Sequence, residues 1–143
     1  MSTRSRIGKL NADGTVTSVY CHWDGYPSYN GFLLQQFYSK EEVVDELISH
    51  GNLSYLAQKI DPTGAHSFDN PEDDVCVYYG RDRKEPNNEP SISQTVEEYY
   101  SSNASCEDYN YLYKPGIGWH VRSDYDGIEE LLDDVLYTQT PDI

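Results

Sequence analysis

Residues 15–23 set Val16, Val19 and Tyr20 among threonine and serine, the composition of a half-buried strand, and 3–10 lead into them through Asp13-Gly14. An Asp-Gly pair between two such runs predicts a hairpin. A second hairpin is predicted at 109–114 and 119–123, joined by Pro115-Gly116-Ile117-Gly118. Alternation there places Tyr109, Tyr111 and Tyr113 on one side of the sheet. One further strand is predicted at 75–80 from its β-branched and aromatic content.

The period changes after residue 39. Val43, Val44, Leu47 and Ile48 recur at helical spacing while Glu41, Glu42, Asp45 and Glu46 take the other face. Ser39 with Glu42 has the spacing of a capping box, and Gly51 closes the helix. The same two stripes return over 126–137: Ile128, Leu131, Leu132, Val135 and Leu136 against Asp126, Glu129, Glu130, Asp133 and Asp134. Shorter helices are predicted at 32–38, at 53–60, and after Ser91 and Gln94 through Val96, Tyr99 and Tyr100. Glycine, proline and polar residues mark 24–31, 61–74 and 81–90 as loops. The predicted fold is α+β: an antiparallel sheet of about five strands, built from two hairpins plus a further strand, with helices packed on one face. Residues 1–143 form one acidic domain in this reading.

Charge narrows the function. Against 25 acidic side chains stand 10 basic ones, a formal net charge of −15. Such a molecule repels phosphate backbones and anionic headgroups, so direct binding of DNA, RNA or a membrane is not expected, and a protein with a basic surface is the expected partner. No leader or membrane-length apolar run is read, which points to the cytoplasm. Cys21, Cys76 and Cys106 are odd in number and widely spaced, so they read as reduced, buried hydrophobes and not as a disulfide or zinc framework.

The acidic faces are the strongest chemical signal. Like charges one turn apart cost a helix a few tenths of a kcal/mol per pair, yet neither predicted stripe carries a lysine or arginine. Carboxylates at that spacing, roughly 6 Å, imitate phosphates along a nucleic-acid strand. Glu41, Glu42, Asp45, Glu46, Glu129, Glu130, Asp133 and Asp134 are therefore the candidate partner-binding residues. A face kept acidic for solubility would show the same pattern. Fourteen tyrosines suit an interface and a homodimer, and equally an ordinary sheet.

The cations suggest an alternative. Arg4, Arg6 and Lys9 lie in the first strand, and Arg81, Arg83 and Lys84 follow the third. Were those segments neighbours, Arg4, Arg6, Arg81 and Arg83 could hold the phosphates of a small nucleotide, with Trp23, Asp24 and Tyr26 beside the base. His22 and Asp24 could form a metal or acid/base pair, but no third ligand is near in sequence, and a structural loop explains them as well. Gly116-Ile117-Gly118 lacks the helix of a dinucleotide fingerprint, and no cofactor is expected.

Ser2-Thr3-Arg4-Ser5-Arg6-Ile7-Gly8, Asp13-Gly14, Val19-Tyr20-Cys21-His22-Trp23-Asp24-Gly25-Tyr26-Pro27 and Asn30-Gly31 resemble a family of small proteins from tailed bacteriophages. The resemblance runs through Leu53-Ser54-Tyr55-Leu56 and no further. It implies an accessory protein acting in the cytoplasm of an infected bacterium, and it implies no reaction, cofactor or site. With the charge pattern, the expectation is a non-enzymatic inhibitor of a host defence or nucleic-acid-binding protein, acting through acidic, tyrosine-rich surfaces as a nucleic-acid mimic. The alternative is sequestration or hydrolysis of a nucleotide immune signal at an arginine and aromatic pocket.

Overall fold

The computed structural model describes residues 3–101, 108–124 and 127–139. Both hairpins form. Strand β1 (Ser5–Leu10) pairs antiparallel with β2 (Val16–Cys21), from Ser5↔Cys21 to Leu10↔Val16. Their turn is held by Asp13, whose Oδ1 accepts from the Thr15 amide at 3.0 Å and its hydroxyl at 2.6 Å, with Gly14 at φ 90°. The second hairpin joins β6 (Tyr109–Lys114) to β7 (Gly118–Ser123).

What joins the hairpins was not predicted. β1 and β6 lie side by side and parallel, Ser5↔Tyr109 through Lys9↔Tyr113. Short strands extend the sheet: β3 (Leu53–Tyr55) lies parallel to β2, β4 (Val77–Tyr78) lines the outer side of β3, and β8 (Glu129–Leu131) lies beyond β7. The order is β4-β3-β2-β1-β6-β7-β8, with β5 (Ser91–Ser93) pairing with Val16–Ser18 of β2. The α+β class therefore holds, but the sheet is mixed and eight-stranded, not antiparallel with five strands. Runs of two or three residues are too short to display a period of two.

Helices α1 (Phe32–Phe37) and α2 (Glu41–Ser49) fall where predicted. Ser39 does not cap α2; Lys40 does, with no side-chain bond. Glu41 and Glu42 instead complement the positive end of the helix. The predicted helix at 53–60 is replaced at its start by β3, and the predicted strand at 75–80 ends where α3 (Tyr79–Arg83) begins. Helix α4 (Val96–Ser101) is capped by Thr95, whose Oγ1 accepts from the Glu98 amide at 3.0 Å, and not by Ser91. The last helix, α5 (Leu132–Gln139), starts after β8, so Glu129 and Glu130 are strand residues. Asp126 and Cys106 lie outside the described residues.

Two layers cover the sheet. On one face α1, α2 and α5 bury Leu34, Val44, Leu47 and Leu132 against Ile7, Val19, Cys21, Tyr111, Trp119 and Val121. On the other, α4 sets Tyr99 and Tyr100 on Val16 and Leu112, which corrects the expectation of helices on one face only. Tyr109, Tyr111 and Tyr113 do share a face, but it is the inner one. The hydroxyls of Tyr38, Tyr78, Tyr99 and Tyr111 donate to the carbonyls of Ala57, Leu47, Tyr111 and Gly25 at 2.6–2.7 Å. Each of these four phenols buries a large apolar ring while satisfying its polar tip, so tyrosine here is mainly core material. Cys21 and Cys76 are buried and free, and burial pushes the Cys21 thiol up to about 12. Among the described residues no helix is long and apolar enough to cross a membrane.

Candidate functional site

The chain leaving β2 is fixed from within. The amides of His22 and Trp23 donate to Leu53 and Ser54, Asp24 takes φ 56°, and the Gly25 amide donates to Thr3 O at 2.8 Å. A Cβ on Gly25 would come within 2.9 Å of the Arg4 backbone, so this position must be glycine. Fully buried Asn30 donates to Ser5 Oγ at 3.2 Å and to Trp23 O at 3.4 Å. A single π-helical turn, Pro27–Gly31, then feeds α1.

The outside of the same segment is aromatic. Trp23 is 44% exposed, Tyr26 39%, Tyr29 36% and Phe32 49%. The three-residue spacing of Tyr26, Tyr29 and Phe32 was the available signal, and reading 24–31 only as a loop missed it. Helix α5 packs against the π-turn and α1, and Leu132 sits so close to Gly31 that an added Cβ would meet it at 3.0 Å. Exposed Tyr137 belongs to α5, together with exposed Asp133 and Asp134.

On the same side of the sheet, α2 lies over β1 and β2. Its Glu41, Glu42, Asp45 and Glu46 are all exposed. Lys9 reaches up from β1 to Glu41 at 2.7 Å and Asp45 at 2.6 Å. Burial opposes its charge, but the two carboxylates outweigh that and hold the ammonium above its ordinary pKa. Glu42 and Glu46, one turn apart, have no ion-pair partner among the described residues.

The predicted second stripe does not form as one helix face. Glu129 points to the opposite side of the sheet, where it pairs with Lys114 at 2.8 Å and accepts from Tyr100 OH at 2.5 Å. Burial opposes its ionisation, and those two bonds overcome it, lowering the pKa. It therefore fixes α4. Glu130, the next residue along the strand, sits opposite Val121 on the inner face. There it lines a trough of about 180 Å³ with Pro27, Tyr109, Val121, Ser123, Ile128 and Val135.

The cations do not gather into one patch, because β2 and β3 separate β1 from β4. Arg6 donates to Tyr99 O at 2.9 Å and Ser18 Oγ at 3.2 Å and stacks on Tyr99. Arg81 donates to Ile60 O, Cys76 O and Asp82 and lies over Tyr78, while Arg83 lies over Phe68. These guanidinium groups tie loops and helices to the sheet. The charge of Arg4 acts on His22: burial first, and that charge second, hold the imidazole below its ordinary pKa. His22 Nδ1 is 2.7 Å from Tyr20 OH, and its ring meets Trp23 edge-on at 4.6 Å. Asp24 lies toward Tyr29, where its charge adds to burial in raising the phenol's pKa.

One buried polar pair had no signature in the sequence. His66 Nε2 is 3.2 Å from Asp82, and its Nδ1 accepts from the Glu72 amide at 3.0 Å, which fastens the 61–74 loop onto α3. Compared with protein-family models, curated proteins and solved structures, the chain finds no match.

Proposed function

We propose that the protein is a non-enzymatic binding protein, a phage accessory factor that inhibits a host defence or nucleic-acid-binding protein in the infected bacterial cytoplasm. The observation that carries this reading is the outer side of one helical layer, where the carboxylates of α2 and α5 accompany the exposed rings of Tyr26, Tyr29, Phe32 and Tyr137. Aromatic side chains supply anchoring area at low entropic cost, and a field of one sign steers a basic partner and rejects acidic ones. Glu42 and Glu46 keep the spacing that lets carboxylates stand in for phosphates.

The test combines Glu42→Gln, Glu46→Gln, Asp133→Asn and Asp134→Asn in one variant. The helices are expected to stay folded: relief of like-charge repulsion gains tenths of a kcal/mol, against about 0.3–1 kcal/mol for each first-turn carboxylate neutralised at Glu42, Asp133 and Asp134. Wild-type protein should capture a basic protein from host lysate at low salt and release it at high salt. The variant should bind that protein about tenfold more weakly, with a flatter salt dependence. Capture at wild-type strength by the variant would refute the acidic-surface reading.

Exposed Trp23, edge-on to His22 with the Arg4 charge acting on that imidazole, supports a second reading, a nucleotide ligand stacked on Trp23 with its phosphate toward Arg4. Trp119 is buried and donates to Tyr38 O, so quenching by AMP would report on Trp23. On this reading AMP quenches, adenosine and inorganic phosphate do so at least about tenfold more weakly, and Arg4→Gln removes the difference. No quenching by millimolar AMP would end it.

A further inference from the structure

We infer that the trough between the π-turn and α5 receives an arginine side chain of the partner, with Glu130 as its counter-ion. The inference rests on the reading of the protein as a binder of basic proteins, and it assigns that reading a specific pocket.

The walls come from five elements, three of them strands whose register brings their side chains together. Tyr109 and Ser123 are opposite each other in β6 and β7, and Val121 faces Glu130 across β7 and β8. All four therefore lie on the inner face of the sheet. Pro27 from the π-turn and Val135 from α5 close the sides, and Ile128, 58% exposed, stands at the edge. The result is a recess of about 180 Å³ whose exposed lining is more polar than apolar, with hydroxyl-bearing Tyr109 and Ser123 and, among the described residues, one carboxylate.

Its charge is unbalanced. Among the described residues no lysine, arginine or histidine lines the trough, and no cation is within ion-pairing distance of Glu130. Lys114 and Arg122 belong to the opposite face, Lys114 paired with Glu129 and Arg122 stacked on Tyr100. Asp133 and Asp134 follow within four residues and keep the local potential negative.

A cation rich in hydrogen-bond donors fits this lining, because its donors meet the Glu130 carboxylate and the polar groups beside it. Arginine fits better than lysine. Its planar group offers five donors, is more weakly hydrated, and pairs with a carboxylate through two bonds. The exposed rings of Tyr26 and Tyr29 flank Pro27 in the chain and offer stacking surface to residues next to that arginine.

The probe is the capped peptide acetyl-Gly-Arg-Gly-amide, read by NMR from the methyl groups of Val121, Ile128 and Val135. It should shift all three with millimolar affinity, about three- to tenfold more weakly in Glu130→Gln, and the citrulline peptide should shift none of them. Glu130 is exposed, so Glu130→Gln should melt with the wild type. Absent methyl shifts, or equal affinity for wild type and Glu130→Gln, would overturn the assignment. The two readings fail separately. Absent methyl shifts, with salt-labile capture still lost in the four-carboxylate variant, remove the trough and leave the binding surface. Full capture by that variant removes the acidic surface itself.

Discussion

Gly51→Ala is expected to lower the unfolding free energy by about 2–5 kcal/mol, combining a left-handed backbone cost of about 1–2 kcal/mol with overpacking of about 1–3 kcal/mol. Gly51 ends α2 at φ 87°, and its amide donates to Ile48 O at 3.0 Å. A Cβ there would overlap the carbonyl oxygen of Asn88, whose carbon lies 3.1 Å away. Neither atom can step aside. That carbonyl accepts from the Asn52 amide at 2.9 Å, and Asn52 O accepts from the Tyr79 amide, so the contact belongs to the join between α2, β3 and α3. For a domain with about 5–15 kcal/mol in total, this approaches loss of the folded state. Gly14→Ala separates the two costs, because Gly14 has φ 90° with nothing within 4 Å of an added Cβ. Urea unfolding should show Gly14→Ala losing only the backbone part; equal losses would remove the steric argument.

Tyr111 is the second position with a large expected effect. Its ring is fully buried, its hydroxyl donates to Gly25 O at 2.6 Å, and its own carbonyl accepts from Tyr99 OH at 2.7 Å. Tyr111→Ala should cost about 3–5 kcal/mol, the range for deleting a buried aromatic side chain. Tyr111→Phe keeps the ring but strands the Gly25 carbonyl, at about 1–3 kcal/mol. The local consequence is diagnostic. Gly25 positions the segment that displays Trp23 and Tyr26, so in Tyr111→Phe the amides of Gly25 and Asn30 should exchange faster while the Tyr99 amide, bonded to Thr95 O, keeps its protection. Uniform acceleration across the molecule would mean that the bond holds no loop in particular.

The elements legible in the sequence were those long enough to show a period. The six-residue strands β1, β2, β6 and β7 and the nine-residue α2 all repeat their pattern more than once. Over 128–137 the same logic misled, since Ile128 and Leu131 take helical spacing with Leu132 and Val135 yet stand 58% and 41% exposed in and before a strand. Alternation identified Tyr109, Tyr111 and Tyr113 as one face but carried no sign for inside or outside, which long-range pairing decides. The carboxylates of the candidate surface could be read directly, because solvent exposure is where acidic residues belong. The trough could not, as its walls come from segments that sequence spacing does not connect.

The parallel seam between β1 and β6 also determines when a docking surface exists. Each hairpin closes over a few residues, whereas the seam brings together Arg4 and Asp108, 104 residues apart, and a chain must lose far more configurational freedom to close it. Pro27 arrives with the first half of the chain and Glu130 with the second. Neither half alone contains the recess, so a ligand seated there shifts the folding equilibrium by mass action toward the chain in which the halves are joined.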